Sequence, residues 1–187
     1  LDSVHLQALG SAQIAALSVD QVDALTTAQI SHLTAAQMAG FTTRLATFDT
    51  ADFAALGTAQ FAALTTAQIA NLTTEQINHL ATDDLQALST AQVRALTTAG
   101  IAALSSASIE ALTSAQVLAL STAQVRNLAT ATIDALETAD LVQMSVSQVA
   151  AFSGDQLNAM SAGQRTTAVV RTIVFTCVAL GEIGERV

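Results

Sequence analysis

A large apolar residue recurs at every eighth position from Leu1 to Phe152, with one slip, and a second follows five positions after each. With the octad numbered 0 to 7, position 0 is Leu, Phe or Met in all twenty units. Position 5, running from Leu6, Ile14, Val22 and Ile30 to Leu157, is apolar in all twenty. A unit this short cannot bury its own apolar face and must stack on its neighbours. The chain is a tandem-repeat scaffold before it is anything else.

One continuous helix cannot carry the pattern. At about 100° per residue, successive position-0 residues lie roughly 80° apart around the axis, so no apolar stripe forms. A strand fares worse, since positions 0 and 5 have opposite parity and would face opposite sides of a sheet, while Ala and Gln are poor strand formers. A β-solenoid stays as the alternative.

Local chemistry favours helix. Position 1 is Ser or Thr in thirteen units and position 4 is Gln in twelve. In Leu64-Thr65-Thr66-Ala67-Gln68-Ile69, Thr65 is the N-cap and Gln68 is N3, the spacing of a capping box that satisfies two orphan amides reciprocally. Leu64 and Ile69 stand where a hydrophobic staple would close around that box. Acidic residues appear at position 3 (Asp20, Glu75, Asp83, Asp155), where the helix dipole favours them. Each octad then reads as one helix of about six residues, with a kink at the 0/1 junction. Helices below about 12 residues are marginal alone, so stacking must hold them. The expected fold is an all-α solenoid of very short helices over residues 1–159, with positions 0 and 5 inside and the least restricted position, 6, facing solvent.

The array is interrupted twice. Unit 41–47 has seven residues, and aligning Leu45 with position 5 shows that the capping Gln is the one missing; Phe41, Phe48, Phe53 and Phe61 surround it. Ring filling of the lost volume is the simplest account, and a cleft or bend is the other. Past residue 160 the register ends, and 160–187 reads as a C-terminal capping or docking helix, its body at 162–180. A β-branched run (Val169, Val170, Ile173, Val174) leaves a strand open there, and the apolar stretch is too short to span a bilayer. At the other end, an uncovered first coil would present Leu1, Leu6 and Leu9 to water, which predicts self-association.

Composition removes several functions. A formal net charge of -9 with only six Lys and Arg residues opposes a nucleic-acid or anionic-membrane surface. His5 lies at position 4, and His32 and His79 at position 7 but six units apart, without metal-ligand spacing. Asp83 and Asp84 are the one adjacent carboxylate pair; with no visible partner to perturb them, no general acid/base role is assigned. The lone Cys177 reads as a small buried hydrophobe. The expectation is no enzyme, no cofactor and no metal. The feature that packing does not demand is Thr at position 2: Thr50, Thr58, Thr66, Thr74, Thr82, Thr90 and Thr98 in succession, then Thr122, Thr130 and Thr138. Such a ladder is a candidate binding surface for ice, polysaccharide or protein, or else drift within a duplicated repeat.

The octad resembles the Ala-Leu-Thr-Thr-Ala-Gln-Ile/Val arrays of large, repetitive, adhesin-like bacterial proteins, over residues 1–159. That resemblance implies a rod-like spacer or fibre segment at the cell surface or outside the cell. A partial likeness links Leu72-Thr73-Thr74-Glu75-Gln76-Ile77 to the first helix of transcription-activator-like effector repeats. Their base-reading loop and basic residues have no counterpart here, so DNA binding is not carried over.

Overall fold

The computed structural model describes residues 2–168, and among them there are only short helices and their kinks, with no strand. Thr66–Ala70, Thr74–Asn78 and Thr90–Ala95 are typical of the array, each covering positions 2 to 6 or 7 of its octad. What ends one helix starts the next. The position-0 or position-7 residue closes the C-terminus, and the position-1 residue turns extended, as at Thr65 (φ -73°, ψ 157°). Its hydroxyl accepts the Gln68 amide at 3.2 Å, and Gln68 Oε1 accepts the Thr65 amide at 2.9 Å. Boxes of this kind close at Ser18, Thr26, Thr34, Thr73, Ser89, Thr113, Ser121, Ser145 and Ser153. At Gly10 and Gly57 only the returning Gln half is present, since glycine has no side chain to offer.

The helices wind into stacked coils, each packing on the helix three octads away. Thr58–Ala62, Thr82–Ala87, Ser106–Ala111 and Thr130–Ala135 form one such stack. Two others run through Thr50–Ala54, Thr74–Asn78, Thr98–Ala102 and Thr122–Arg126, and through Thr66–Ala70, Thr90–Ala95, Ser114–Ala119 and Thr138–Gln143. With coils about 8 to 10 Å apart, the usual helix-packing distance, the array is roughly 40 to 65 Å long.

Positions 0 and 5 form one continuous core, from Leu6 and Ile14 through Ile69, Leu96 and Ile133 to Met160. The expectation for the first coil needs correcting. Leu6 is fully buried and only Leu9 and Leu17 are left half-buried, because helix Thr27–Ser31 on the next coil already covers Leu6. Leu1 lies outside the described residues. At the far end, residues 162–168 are helical and begin with another capping pair, Ser161 and Gln164. The rest of the expected 162–180 helix, with Cys177, lies outside the described residues.

The seven-residue unit is where the chain departs most from its own rule. The segment Ala39–Thr47 is two pieces of 3₁₀ helix meeting at Thr42, whose φ of 50° lies in the half of conformational space that favours glycine. Gly40 permits the closest approach of two coils: a Cβ there would stand 2.5 Å from the Ser11 carbonyl oxygen and 3.0 Å from Ile14 Cβ. The ring-filling expectation holds in detail. Phe41 meets Phe48 edge to face at 5.3 Å between centroids, and Phe53 meets Phe61 likewise at 5.1 Å.

Candidate functional site

The most specific polar arrangement in the chain is the second hydrogen bond of each position-4 glutamine. While Oε1 caps its own helix, Nε2 reaches back to the preceding coil. In Gln92 it donates to Phe61 O at 3.0 Å and Leu64 O at 2.7 Å, 31 and 28 residues earlier. The same pair of offsets recurs from Gln37, Gln76, Gln116, Gln124, Gln156 and Gln164. Gln60 uses 30 and 27, since its span crosses the seven-residue unit. Helices stack at three octads and glutamines reach back almost four, so each coil takes between three and four octads.

The carbonyls it meets belong to positions 5 and 0, at the C-terminal end of a helix; the position-5 carbonyl also accepts the position-0 amide, as Phe61 O does from Leu64 N at 3.1 Å, and the position-0 carbonyl lies past the helix, where the ladder no longer reaches it. One carboxamide thus satisfies an orphan donor on its own helix, the position-0 acceptor on another, and the second lone pair of the position-5 acceptor beside it. This is why these glutamines are buried, with Gln68 and Gln156 at 1% exposure, whereas buried glutamine is otherwise uncommon. Gln13 and Gln21, in the first coil, are exposed.

In the short unit Arg44 takes over the work of the missing glutamine. Its Nη1 donates to Leu17 O and its Nη2 to Ala15 O. Other substitutions at position 4 resolve locally. Thr132 donates to Ala129 O at 3.0 Å, Ser108 pairs with Ser105 at 2.8 Å, and the space at Gly100 is taken by Ile77 Cδ1. Aspartate is the exception: Asp140 is buried, and its Oδ1 has no hydrogen-bond partner. Asp84 also corrects the expectation from sequence. Burial raises its carboxyl above the ordinary value, and the neighbouring Asp83 carboxylate adds to the effect.

The ten threonines of the ladder stand at the first residue of ten successive or near-successive helices. Thr58, Thr66, Thr74, Thr82, Thr90, Thr98, Thr122, Thr130 and Thr138 are exposed and Thr50 is half-buried. They do not make a single row. Stacking at three octads sorts position 2 into three columns: Thr50, Thr74, Thr98, Thr122; Thr58, Thr82, Ser106, Thr130; and Thr66, Thr90, Ser114, Thr138. Every member from Thr50 to Thr138 carries a hydroxyl, whereas Ala35, Val146 and Gly154, which continue two of the columns, do not.

Between columns run open grooves in the same register. One, of about 360 Å³, is lined by Arg94, Leu118 and Ser121 among others; its counterpart sixteen residues on, of about 430 Å³, has Glu110, Asp134, Glu137 and Ser161. Position 6 therefore sets the chemistry of each groove. His32 and His79 each bond through Nδ1 to a backbone carbonyl of their own helix, Ala28 O at 2.7 Å and Glu75 O at 2.9 Å. Among the described residues no three His, Cys, Asp or Glu side chains are placed to hold a metal ion, and no helix is long and apolar enough to cross a membrane.

No curated protein matches the chain. The ALTTAQ repeat matches residues 1–35, 45–82, 77–114, 101–130 and 133–167, leaving out most of the seven-residue unit with its missing glutamine. With these matches covering most of its length and a coil-to-coil link at the glutamine of that motif, the chain belongs to the ALTTAQ repeat family.

Proposed function

We propose that this chain is a non-enzymatic structural element, a rod-like spacer or fibre segment of an extracellular or cell-surface protein, that extends by association with further copies. The observation that carries this reading is the repeated glutamine link, which joins each coil to the one before with the same donor and acceptor positions. Such an interface has no built-in end. The first coil leaves Gln13 and Gln21 exposed and Leu9 and Leu17 half-buried. Leu6, Leu17, Leu25 and Gln21 line a hollow of about 220 Å³ on it. It continues the coil-to-coil interface, so what fits it is a further coil presenting position-5 and position-0 carbonyls, and in our reading a second copy supplies that coil.

Light scattering of the full chain over a wide concentration range tests this. Mass that rises with concentration, and falls back to the monomer in Leu17→Glu with unchanged circular dichroism, supports it. A strict monomer throughout refutes self-association. A second reading, binding of an extended surface by the Thr columns, is favoured by the unbroken run of hydroxyls at position 2 from Thr50 to Thr138. Thr74→Val with Thr98→Val, two neighbours in one column, would weaken retention on the matching polysaccharide or ice surface; unchanged retention across a panel would remove it.

A further inference from the structure

The glutamine links run one way. At Gln37, Gln60, Gln92 and Gln164 alike, the position-4 carboxamide donates and a carbonyl 27 to 31 residues earlier accepts. Each coil therefore turns donors toward the coil before it and acceptors toward the coil after it. Burial of the core carries the same direction. Position 0 is half-buried at Leu9 and Leu17 and buried from Leu25 to Met160, whereas position 5 is buried from Leu6 to Val149 and half-buried at Leu157. Position 0 opens at the front of the stack and position 5 at the back.

The two end faces complement each other and not themselves. On the first coil, Oε1 of Gln13 and of Gln21 already accepts a cap amide, from Gly10 and Ser18 at 2.8 Å each, and their Nε2 donors have no partner among the described residues. At the other end Gln164, the last glutamine of the sequence, serves Leu136 O at 2.6 Å. No glutamine follows to meet the Val149 and Phe152 carbonyls, which stand at the same positions 5 and 0 of a later coil. An isologous contact sets one patch against its own copy. Between two first coils that would bring amide donors against amide donors, with no acceptors to repay their desolvation.

We infer that copies join head to tail: the first coil of one seats Gln13, Gln21, Leu9 and Leu17 on the position-5 and position-0 carbonyls and Leu157 of another copy's last coil. The inference rests on the self-association proposed above and adds its direction. A heterologous contact that repeats the superhelical step does not close on itself, so growth is open-ended, whereas pairing of first coils would stop at two copies.

Complementation between end-blocked full-length chains tests the direction. Leu17→Glu blocks the front and Leu157→Glu the back, both at half-buried sites, and their circular dichroism should match the wild type. In sedimentation analysis the wild type should reach masses beyond two copies, each variant alone should stay monomeric, and an equimolar mixture should form a species of two copies and stop. Leu157→Glu that still pairs with itself overturns the inference, as does a mixture that stays monomeric while the wild type associates. A monomeric wild type refutes self-association itself, and the direction falls with it. If Leu157→Glu loses its helical signal, Leu157→Gln takes its place with the same expectations. Gln13→Glu with Gln21→Glu blocks the front without touching the core: both residues are exposed, the oxygens that cap Gly10 and Ser18 stay, and only the donors go. That pair should raise the concentration for half-association about tenfold or more, and unchanged association overturns the inference.

Discussion

Gln92→Ala tests the coil-to-coil link at a single residue. Gln92 sits mid-array with 4% exposure, and its Oε1 accepts the Ser89 amide at 2.7 Å while its Nε2 serves Phe61 O and Leu64 O. Truncation leaves one amide and two carbonyls without this partner, at about 0.5 to 1.5 kcal/mol each. Lost packing of the buried side-chain methylene groups adds about 1 kcal/mol more. The expected cost is roughly 2.5 to 5.5 kcal/mol. Ser89→Ala in the same octad removes the hydroxyl that accepts the Gln92 backbone amide at 3.3 Å and donates to Gln92 Oε1 at 2.9 Å but leaves the bonds to the preceding coil, at a cost of about 0.5 to 2 kcal/mol. Both variants lie on one helix, so end fraying and position in the array cancel in the comparison. Urea denaturation followed at 222 nm gives the two costs. If Gln92→Ala is no more destabilising than Ser89→Ala, glutamine is only a cap and the bond to the preceding coil carries no weight.

Three further outcomes follow from the same geometry. Arg44→Ala should cost about 1.5 to 3 kcal/mol, the range for hydrogen bonds to a charged group, with Arg44→Gln recovering part of it in the same denaturation assay. Gly40→Ala should cost about 1 to 3 kcal/mol or more, because its new methyl meets the Ser11 carbonyl, which is backbone and cannot rotate away; a neutral result would show that the short unit is loosely packed. Leu96→Ala, at 3% exposure, should cost about 2 to 5 kcal/mol, whereas the exposed Arg94→Ala should stay within about 0.5 kcal/mol by calorimetry.

Much of this architecture was written in the octad. Position 0, position 5 and the capping box are local signals, and they placed the helices, their kinks and the core to within a residue or two. What they left undetermined was non-local. The capping box already accounted for the Gln of position 4, so nothing local called for a second bond 28 to 31 residues away. One signal did point to it. Glutamate would close the same box and suit the helix dipole better, yet Glu never occupies position 4 while Gln does so in twelve units. A position that takes Gln in twelve units and Glu in none favours the donor that Gln carries. Arg44 was hidden for a similar reason: the shortened unit read simply as lacking its glutamine, and only the carbonyls of Ala15 and Leu17 show that Arg44 fills that role. The Thr ladder ran along the sequence as one row, and the coil length turned it into three columns.

The coil length is also the most direct point of attack. Selective labelling of the Gln92 side-chain amide, followed by nuclear Overhauser contacts to the rest of the chain, reports which residues lie against it. Contacts to Phe61 and Leu64, 31 and 28 residues earlier, are the result expected of coils between three and four octads long. Contacts confined to its own octad and the two adjoining ones would contradict the stacked-coil account.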